Sequence, residues 1–475
     1  MNELKQVRID KLALLQEDYN SWEVNTSAEE LKSYYSYLES GTEEPNHNYY
    51  IAGRVIAKRV FGKLAFITLK DSTGDIQLYI EKAYLEADIF DTLVKQIDLG
   101  DILGVAAYII KKTDKGEISL KPYQIVILTK ALLPLPDKYK GLVDIETRYR
   151  QRYLDLITND TVKNTFIKRS KVIKGIRDYL DDRNYIEVET PILTSEVGGA
   201  DAKPFITHHN SLDKQLYMRI ATELHLKRLL VGGFDSIYEI GKIFRNEGIS
   251  TKHNPEFTSI EIYKTYENYE YMLSLTENLI THLANHTDTE YQGNVISMSK
   301  PWKRISMVDV VKEYTNLDFD EFNSLEEAVQ ATQELGIESD VTTLGELLNL
   351  VFEEKVESNL VQPTFITDYP EEVSPLARSN PNNPGYTERF ELFICGMEIA
   401  NGFSELNNPI IQRERFEAQL ANKDNELATI DEDFITALEY GMPPSAGLGI
   451  GIDRLVMLLT NSSSIKDVIL FPLLK

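Results

Sequence analysis

The hydrophobic period of this chain changes at Tyr49. Upstream, apolar residues recur at loose helical intervals (Leu12, Leu15, Tyr19; then Leu31, Tyr34, Tyr35, Leu38) as far as a break at GTEEPNHN. Residues 1–48 therefore read as a short helical extension. Downstream come YYIAGRVIAKRV, KLAFITLKD, DIQLYI, DILGVAAYII and EISLKPYQIVIL, separated by turn signals such as DSTGD and KTDKGE. A helical stretch near 82–97 falls between the third and fourth runs. Five short strands interrupted in this way fit a small Greek-key barrel of the OB type over residues 49–133. Such a barrel either binds an oligonucleotide or serves as a scaffold without a ligand.

Charge separates the same segments. Over 475 residues, 50 basic and 75 acidic side chains give a net −25, which argues against a general nucleic-acid coat protein. The first 48 residues hold 4 basic against 10 acidic, whereas residues 49–130 hold 12 against 10. A barrel of net +2 in an acidic chain suits local contact with a polyanion. The single cysteine, Cys395, excludes an intramolecular disulfide framework. The start of the chain lacks the apolar stretch of a secretory signal, and no run of about 18 apolar residues occurs, so a soluble cytoplasmic protein with no membrane segment is expected.

Beyond the barrel, the two prolines of LPLPDKYKGL end the strand pattern and mark a hinge at 133–141. A basic, aromatic helix is expected from RYRQRYLDL, with residues 134–160 as a linker. A larger domain mixing helices and strands follows over 161–475. Within it, 266–358 reads as a mostly helical, acidic insertion. The segment FIKRSKVIKGIRDYLDDRNYIEVETPIL is an amphipathic helix with Ile173, Ile176 and Leu180 on one face, a left-handed cap at Asn184, and a strand ended by Pro191.

Four stretches carry residues suited to chemistry. In YEIGKIFRNEGISTKHNPEFTSIEIYK, Arg245 and Glu247 share a face if they lie on a strand, and a loop with Gly248, His253 and Pro255 turns the chain back. Phe257, Ser259, Glu261 and Tyr263 then alternate with Thr258, Ile260 and Ile262, which pack inward. This is either a site for an anion and a flat ring or an exposed hairpin laced with salt bridges. In ERFELFICGMEIANGFSELN, a reversal near Ile394–Gly396 sets Glu391 and Glu398 roughly opposite each other. Such a pair suits Mg²⁺ shared with phosphates, or else belongs to a solvated strand face. Further along, Asn401, Phe403 and Glu405 alternate onto one face. GLGIGIDRLVMLLT puts Gly447, Gly449 and Gly451 on one side of a strand, where backbone can approach a flat ring or pack tightly. Asp453 then reads as the cap of a helix carrying Arg454. In YMRIATELHLKRLLVGG, Thr222 and Glu223 open a helix, where an acid is also favourable simply by its position. The seven histidines show no metal-ligand spacing (His208 and His209 are adjacent), so no zinc-type centre is expected.

A helix–strand ending in proline, then FRNEG with a hairpin, then GLGIGIDR, resembles the three-motif pattern of class II aminoacyl-tRNA synthetases. An OB barrel on the amino-terminal side resembles the lysyl, aspartyl and asparaginyl branch. The strings LPLPDKYKGL, RYRQRYLDL, KPFITHHN, TELHLKRLLVGG, HNPEFT, PTFITDYP, EVSPLAR and FSELNNP are similar to the lysyl members, from about Tyr49 to the carboxyl end. The resemblance implies an α+β chain: an OB-fold anticodon-binding barrel, then a catalytic domain with an antiparallel sheet flanked by helices. It also implies a homodimer built partly on the helix–strand ending at Pro191.

The resemblance further implies roles at matching positions. Arg245 would hold the lysine carboxylate and the ATP α-phosphate. Glu247, His253, Asn254 and Phe257 would grip ATP, with adenine on Phe257 and Arg454 on its other side. Glu391 and Glu398 would bind Mg²⁺. The lysine α-amino group would lie near Gly199 and Glu223, and its ε-ammonium would meet Glu405 and Tyr263, with Glu261, Asn401 and Phe403 completing the pocket. Arg54, Phe66 and Gln77 match anticodon readers of tRNA(Lys). The implied reaction needs no protein nucleophile, in keeping with the lack of a Ser-His-Asp or Cys-His set. Three positions depart from the pattern: the extension is short and acidic, His225 replaces a tyrosine, and Met397 stands where bacterial members often carry arginine. The rival readings are an aspartyl or asparaginyl enzyme, a paralogue that transfers lysine to a protein, and a catalytically silent tRNA-binding protein.

Overall fold

The computed structural model describes residues 3–15, 21–85, 87–136, 142, 144–200, 202–421 and 430–474. The chain divides into two compact units, Met1–Val143 and Asp144–Lys475. Most of the expected hinge, 137–141, lies outside the described residues.

In the first unit, strands β1 (Glu43–Phe61), β2 (Leu64–Lys70), β3 (Asp75–Glu81), β4 (Ile102–Lys112) and β5 (Ile118–Thr129) close a barrel in the order β1-β2-β3-β5-β4. Period-two alternation builds it: Ala65, Ile67, Leu69, Ile76, Leu78 and Ile80 are buried, and the residues between them face outward. At the β2–β3 turn, Asp71 accepts hydrogen bonds from the Thr73 and Gly74 amides.

Helix α1 (Glu3–Ala13) is held by Arg8, which donates to the carbonyls of Leu99, Ala131 and Leu133. Helix α2 (Ala28–Tyr34) is opened by a Ser27–Glu30 capping box, and its Ala28 and Leu31 enter the barrel core. Helix α3 (Ala87–Gln96) fills the interval between β3 and β4. GTEEPNHN, expected as a break, instead supplies the first residues of β1. Pro45 cannot donate to the ladder, and the β1–β4 register shifts between Pro45 and Tyr49 to accommodate it.

The second unit begins with α4 (Ile145–Arg150) and α5 (Arg152–Thr158), divided at Gln151. The buried Arg152 pairs with Asp155 at 2.9 Å and donates to the carbonyls of Lys466 and Leu470. Helix α6 (Asp160–Asp181) buries Ile176 and Leu180 and is followed by Asn184 at φ 60° and strand β6 (Ile186–Glu187). Strands β7 (Leu193–Thr194), β8 (Ile206–His209) and β9 (Lys214–Met218) form a small sheet ahead of α7 (Glu223–Val231).

The main sheet draws on β10 (Ser236–Phe244), β11 (Glu256–Thr265), β14 (Lys303–Ser306), β15 (Thr364–Thr367), β16 (Arg389–Ile394), β17 (Met397–Ser404) and β18 (Ser445–Gly451), in the order β14-β15-β16-β17-β18-β11-β10-β6. Its five central pairings are antiparallel, and the pairings at both edges are parallel. One face carries Ile260, Ile262, Leu392, Ala400, Leu448 and Ile450 into the core with α6, α8 (Tyr269–Leu283) and α14 (Ile452–Thr460). Residues 266–358 contain α8, the hairpin β12 (Thr289–Tyr291) and β13 (Asn294–Ile296), strand β14, and helices α9 (Met307–Thr315), α10 (Leu325–Gln333) and α11 (Leu344–Lys355). The last three pack in a second core against Ile366 of β15 and Phe393 of β16. Helices α12 (Pro409–Ala421), α13 (Glu432–Glu439) and α15 (Ile465–Val468) complete the unit. Among the described residues, no helix is long and apolar enough to cross a membrane.

Candidate active site

The other face of the main sheet is the wall of a cavity of about 1080 Å³. Strand registers build that wall as rows. Glu261 pairs with Gly449, Gly449 with Asn401, and Asn401 with Glu391, so one row runs across four strands. The next row runs Tyr263, Gly447, Phe403, Arg389. The three glycines of β18 thus form a strip between the side chains of β11 and those of β17. A Cβ at Gly447 would collide with Glu405 Oε1 and lie 2.7 Å from the Tyr263 ring, whereas at Gly449 and Gly451 the nearest atoms are 3.8 and 3.9 Å away. Gly447 is therefore needed by the protein's own packing, and the other two leave open room over the backbone.

At one end the cavity is ringed by carboxylates. Glu223 opens α7 and Glu405 follows β17; both are buried. Lys227 Nζ lies 2.5 Å from Glu223 Oε1 and 2.5 Å from Glu405 Oε2, and its side chain is wholly buried. Glu405 Oε1 is buried with no hydrogen-bond partner. Glu261 accepts from the Thr222 amide at 3.1 Å and from the Tyr263 hydroxyl at 3.0 Å. Burial, opposed by Lys227 and reinforced by Glu223 and Glu261, pushes the Glu405 carboxyl up to about 8. Burial and then the Glu223 charge raise Glu261 as well. Burial works against the Lys227 charge, but the two glutamates beside it prevail and hold it above the usual lysine range. Gly199 reaches this end at φ 83°, where a Cβ would sit 3.1 Å from that of Ala221.

The other end carries cations. Arg245 and Glu247 lie past the end of β10 rather than on it, because the Glu247 amide turns back to the Arg245 carbonyl at 2.9 Å. The strand-face expectation for that pair is thus corrected, although both line the cavity. The Arg245 guanidinium stands 5.4 Å from the Phe257 ring centre. Arg454, in the first turn of α14, donates to the Glu398 carbonyl at 2.9 Å and lies 3.0 Å from His253 Nε2. Burial, and next the Arg454 charge, lower the His253 pKa, so a neutral imidazole faces the guanidinium. Asn254 is buried, with Oδ1 lacking a partner.

Two further expectations change. Asp453 is not the cap of α14, a position held by Gly451; it accepts from the Thr258 amide at 2.6 Å and pairs with Arg169, tying α14 to β11 and α6. Glu391 does not face Glu398 across the hairpin: Glu391 pairs with Asn401, and Glu398 with Phe393. One extra residue on β17 shifts the register between these pairs. Without that bulge Glu398 would point to the opposite side of the sheet from Glu391, and with it both carboxylates line the cavity. Burial, and then Glu398, push the Glu391 carboxyl up to about 7 despite an Arg389 ion pair at 2.5 Å. A buried carboxylate crowded by the charge of a second one, with no third ligand among the described residues, fits Mg²⁺ completed by phosphate oxygens better than a closed protein cage. Among the described residues no cluster of three or more candidate ligands occurs.

Every candidate contact named from the second unit lines this one cavity. Sequence reading missed Lys227 and Arg389. Lys227 had a signal, its i,i+4 spacing from Glu223 on a leucine-rich helix, but that spacing equally describes a surface salt bridge. In the barrel, Arg54, Phe66 and Gln77 are half-buried outward-facing residues: Arg54 donates to the Gly100 carbonyl at 2.8 Å, Phe66 packs edge-on against Phe61 and Tyr79, and Gln77 accepts from Ser119.

A family model described as class II tRNA synthetases (D, K and N) matches residues 144–475, and one described as an OB-fold nucleic acid binding domain matches residues 49–128. The chain is 57% identical over 470 residues to a lysine–tRNA ligase of Trichormus variabilis, covering 96% of this chain and 83% of the relative. The lysine–tRNA ligase of Nostoc punctiforme gives the same figures. That of Prochlorococcus marinus (strain MIT 9515) is 54% identical over 497 residues, covering 100% of this chain and 97% of the relative. With its barrel and its glycine-floored antiparallel sheet, the chain belongs to the lysine–tRNA ligase family of class II tRNA synthetases.

Proposed function

We propose that the cavity activates L-lysine with ATP, giving lysyl-adenylate and pyrophosphate, and that the lysyl group then passes to the 3′ end of tRNA(Lys). The observation that carries this reading is the charge at the buried end. Glu223 and Glu405 flank a single cation, Lys227, Glu261 adds a third carboxylate felt by both, and one oxygen of Glu405 has no partner. When ionised, the group lacks two positive charges, and lysine brings an α- and an ε-ammonium. An aspartate side chain would add a fourth negative charge in a desolvated place, which costs several kcal/mol.

With lysine so placed, its carboxylate lies toward Arg245, which also meets the α-phosphate. A carboxylate oxygen attacks the α-phosphorus, the bond to the bridging oxygen breaks, and pyrophosphate leaves in line. Phe257 stacks on adenine, with Arg454 on the far side; Glu247, His253 and Asn254 hold the nucleotide, and Asn254 Oδ1 gains the donor it lacks. Asn401 and Phe403 shape the lysine pocket beside Gly199 and Tyr263. The work is positioning and charge neutralisation. Glu391 and Glu398 would hold Mg²⁺, which would supply positive charge to the phosphates. In the second half-reaction a terminal ribose hydroxyl attacks the lysyl carbonyl and AMP departs. The barrel binds the anticodon through Arg54, Phe66 and Gln77, with stacking on Phe66 suited to a splayed base. The active form is a cytoplasmic homodimer joined partly through α6, β6 and the segment that leads from β6 to Pro191.

ATP–pyrophosphate exchange with lysine, aspartate and asparagine added singly, without tRNA, tests this. Exchange with lysine alone is the expected result. Exchange with aspartate or asparagine would overturn the pocket, and silence with all three in a folded protein would turn the reading toward a tRNA-binding protein without catalysis.

A further inference from the structure

Lys227 sits behind the cavity wall rather than on it. Glu223, Glu261 and Glu405 line the cavity; Lys227 does not, and none of its surface reaches solvent. Its ammonium lies 2.5 Å from an oxygen of each of two glutamates that come from different elements, one on α7 and one after β17. The rest of its surroundings are apolar and aromatic, with the Phe403 ring centre at 5.4 Å and that of Phe434 at 5.9 Å. A lysine so enclosed is costly unless its charge is used, and replacing such pairs by apolar side chains often leaves stability unchanged or improved. Folding alone gives weak grounds for a cation here.

We propose that Lys227 is a positioning residue for the substrate: it fixes Glu223 and Glu405 from behind and cancels one of three carboxylate charges, leaving a pocket matched to a ligand with two ammonium groups. This rests on the reading that the pocket takes lysine. The charged and titratable groups facing Glu405 are Lys227 and Glu223 from α7 and Glu261 and Tyr263 from β11, and only Lys227 among them is a cation. Without it, three carboxylates share one desolvated space, and Glu405 keeps its proton to higher pH than it already does. An incoming ammonium must then displace that proton. Lysine binding therefore strengthens as pH rises toward about 8 in the natural protein, and this limb moves upward in pH when the cation is removed.

The test compares Lys227→Gln, which removes the charge and keeps hydrogen-bond donors, with Lys227→Arg, which keeps the charge. The readouts are kcat/KM for lysine in ATP–pyrophosphate exchange from pH 6 to 9, and the protons released on lysine binding, measured by calorimetry in two buffers of different ionisation enthalpy. For Lys227→Gln the lysine KM should rise tenfold or more at pH 7 with the ATP KM unchanged. Its acid limb should move up by about one pH unit, a shift that mere loss of packing would not produce. For Lys227→Arg the limb should stay in place, whatever its bulk does to KM. An acid limb in Lys227→Gln that coincides with that of the natural protein overturns the proposal. Should the glutamine variant not fold, the natural protein alone decides: proton release at pH 7 that fades by pH 8.5 supports the charge count, and no release at either pH refutes it. If the natural protein does not bind lysine at all, the proposed function fails first, and the role of Lys227 falls with it.

Discussion

The two ends of the cavity are built on opposite principles. At the acidic end, carboxylates outnumber cations, are deeply buried, and are pinned by a lysine of the protein's own. At the cationic end, Arg245 and Arg454 are only half-buried: Arg245 Nε lies 3.4 Å from a carbonyl, and Arg454 meets a neutral imidazole and the partly exposed Glu398 carboxylate at 3.2 Å. A rigid, charge-deficient end suits discrimination among small ligands. A looser cationic end suits a large polyanion whose charge moves during reaction. A lysine molecule, with two ammonium groups and a carboxylate, has one way to satisfy both ends, and that orientation brings its carboxylate toward the phosphates.

Substitutions at the two ends should therefore separate. The largest effect is expected for Arg245→Ala, which removes a charged donor from the reacting centre and should lower kcat for exchange by roughly 10²–10³-fold. Unimpaired adenylate formation in that variant would place the phosphate clamp elsewhere. Next comes Gly447→Ala. Its Cβ collides with Glu405 Oε1 and crowds Tyr263, so the lysine KM should rise about tenfold or more while the ATP KM stays within about twofold. Equal increases for both ligands would show that the two ends are not independent. Phe257→Ala is the mirror experiment: loss of a stacking surface, worth about 1–3 kcal/mol per base, should raise the ATP KM about tenfold and spare lysine. Smallest of all, as read by exchange, is Phe66→Ala in the barrel, which should leave ATP–pyrophosphate exchange unchanged and raise the KM for tRNA in aminoacylation about tenfold.

The same contrast explains what sequence could and could not reveal. Strand alternation is strictly local, so the cavity faces of β11 and β18 were legible from Phe257–Tyr263 and the three glycines, as was the barrel from its five runs. Glu398 was harder, since its place on the cavity side depends on one extra residue in β17, which a period-two pattern does not announce. Asp453 looked like a helix cap because it stands near the start of α14, whereas its partners, Thr258 and Arg169, come from segments about 200 and 280 residues away in sequence. Lys227 was ambiguous for a related reason: an i,i+4 Glu–Lys pair is ordinary on a helix surface, and only the arrival of Glu405 from just past β17 makes it a buried junction. In the extension, Pro45 advertised a break because proline seldom sits in a strand; the bulge that admits it at the start of β1 is set by pairing with β4.

The central claim is that the buried end reads a terminal ammonium by an existing deficit of positive charge. Homonorleucine, which matches lysine in side-chain length but ends in a methyl group where lysine has its ammonium, tests it directly in ATP–pyrophosphate exchange. A site whose buried carboxylates are left unpaired by the analogue should reject it by about 10⁴-fold or more in kcat/KM relative to lysine. Homonorleucine activated within about tenfold of lysine would show that the pocket measures length and not charge, and would contradict the account.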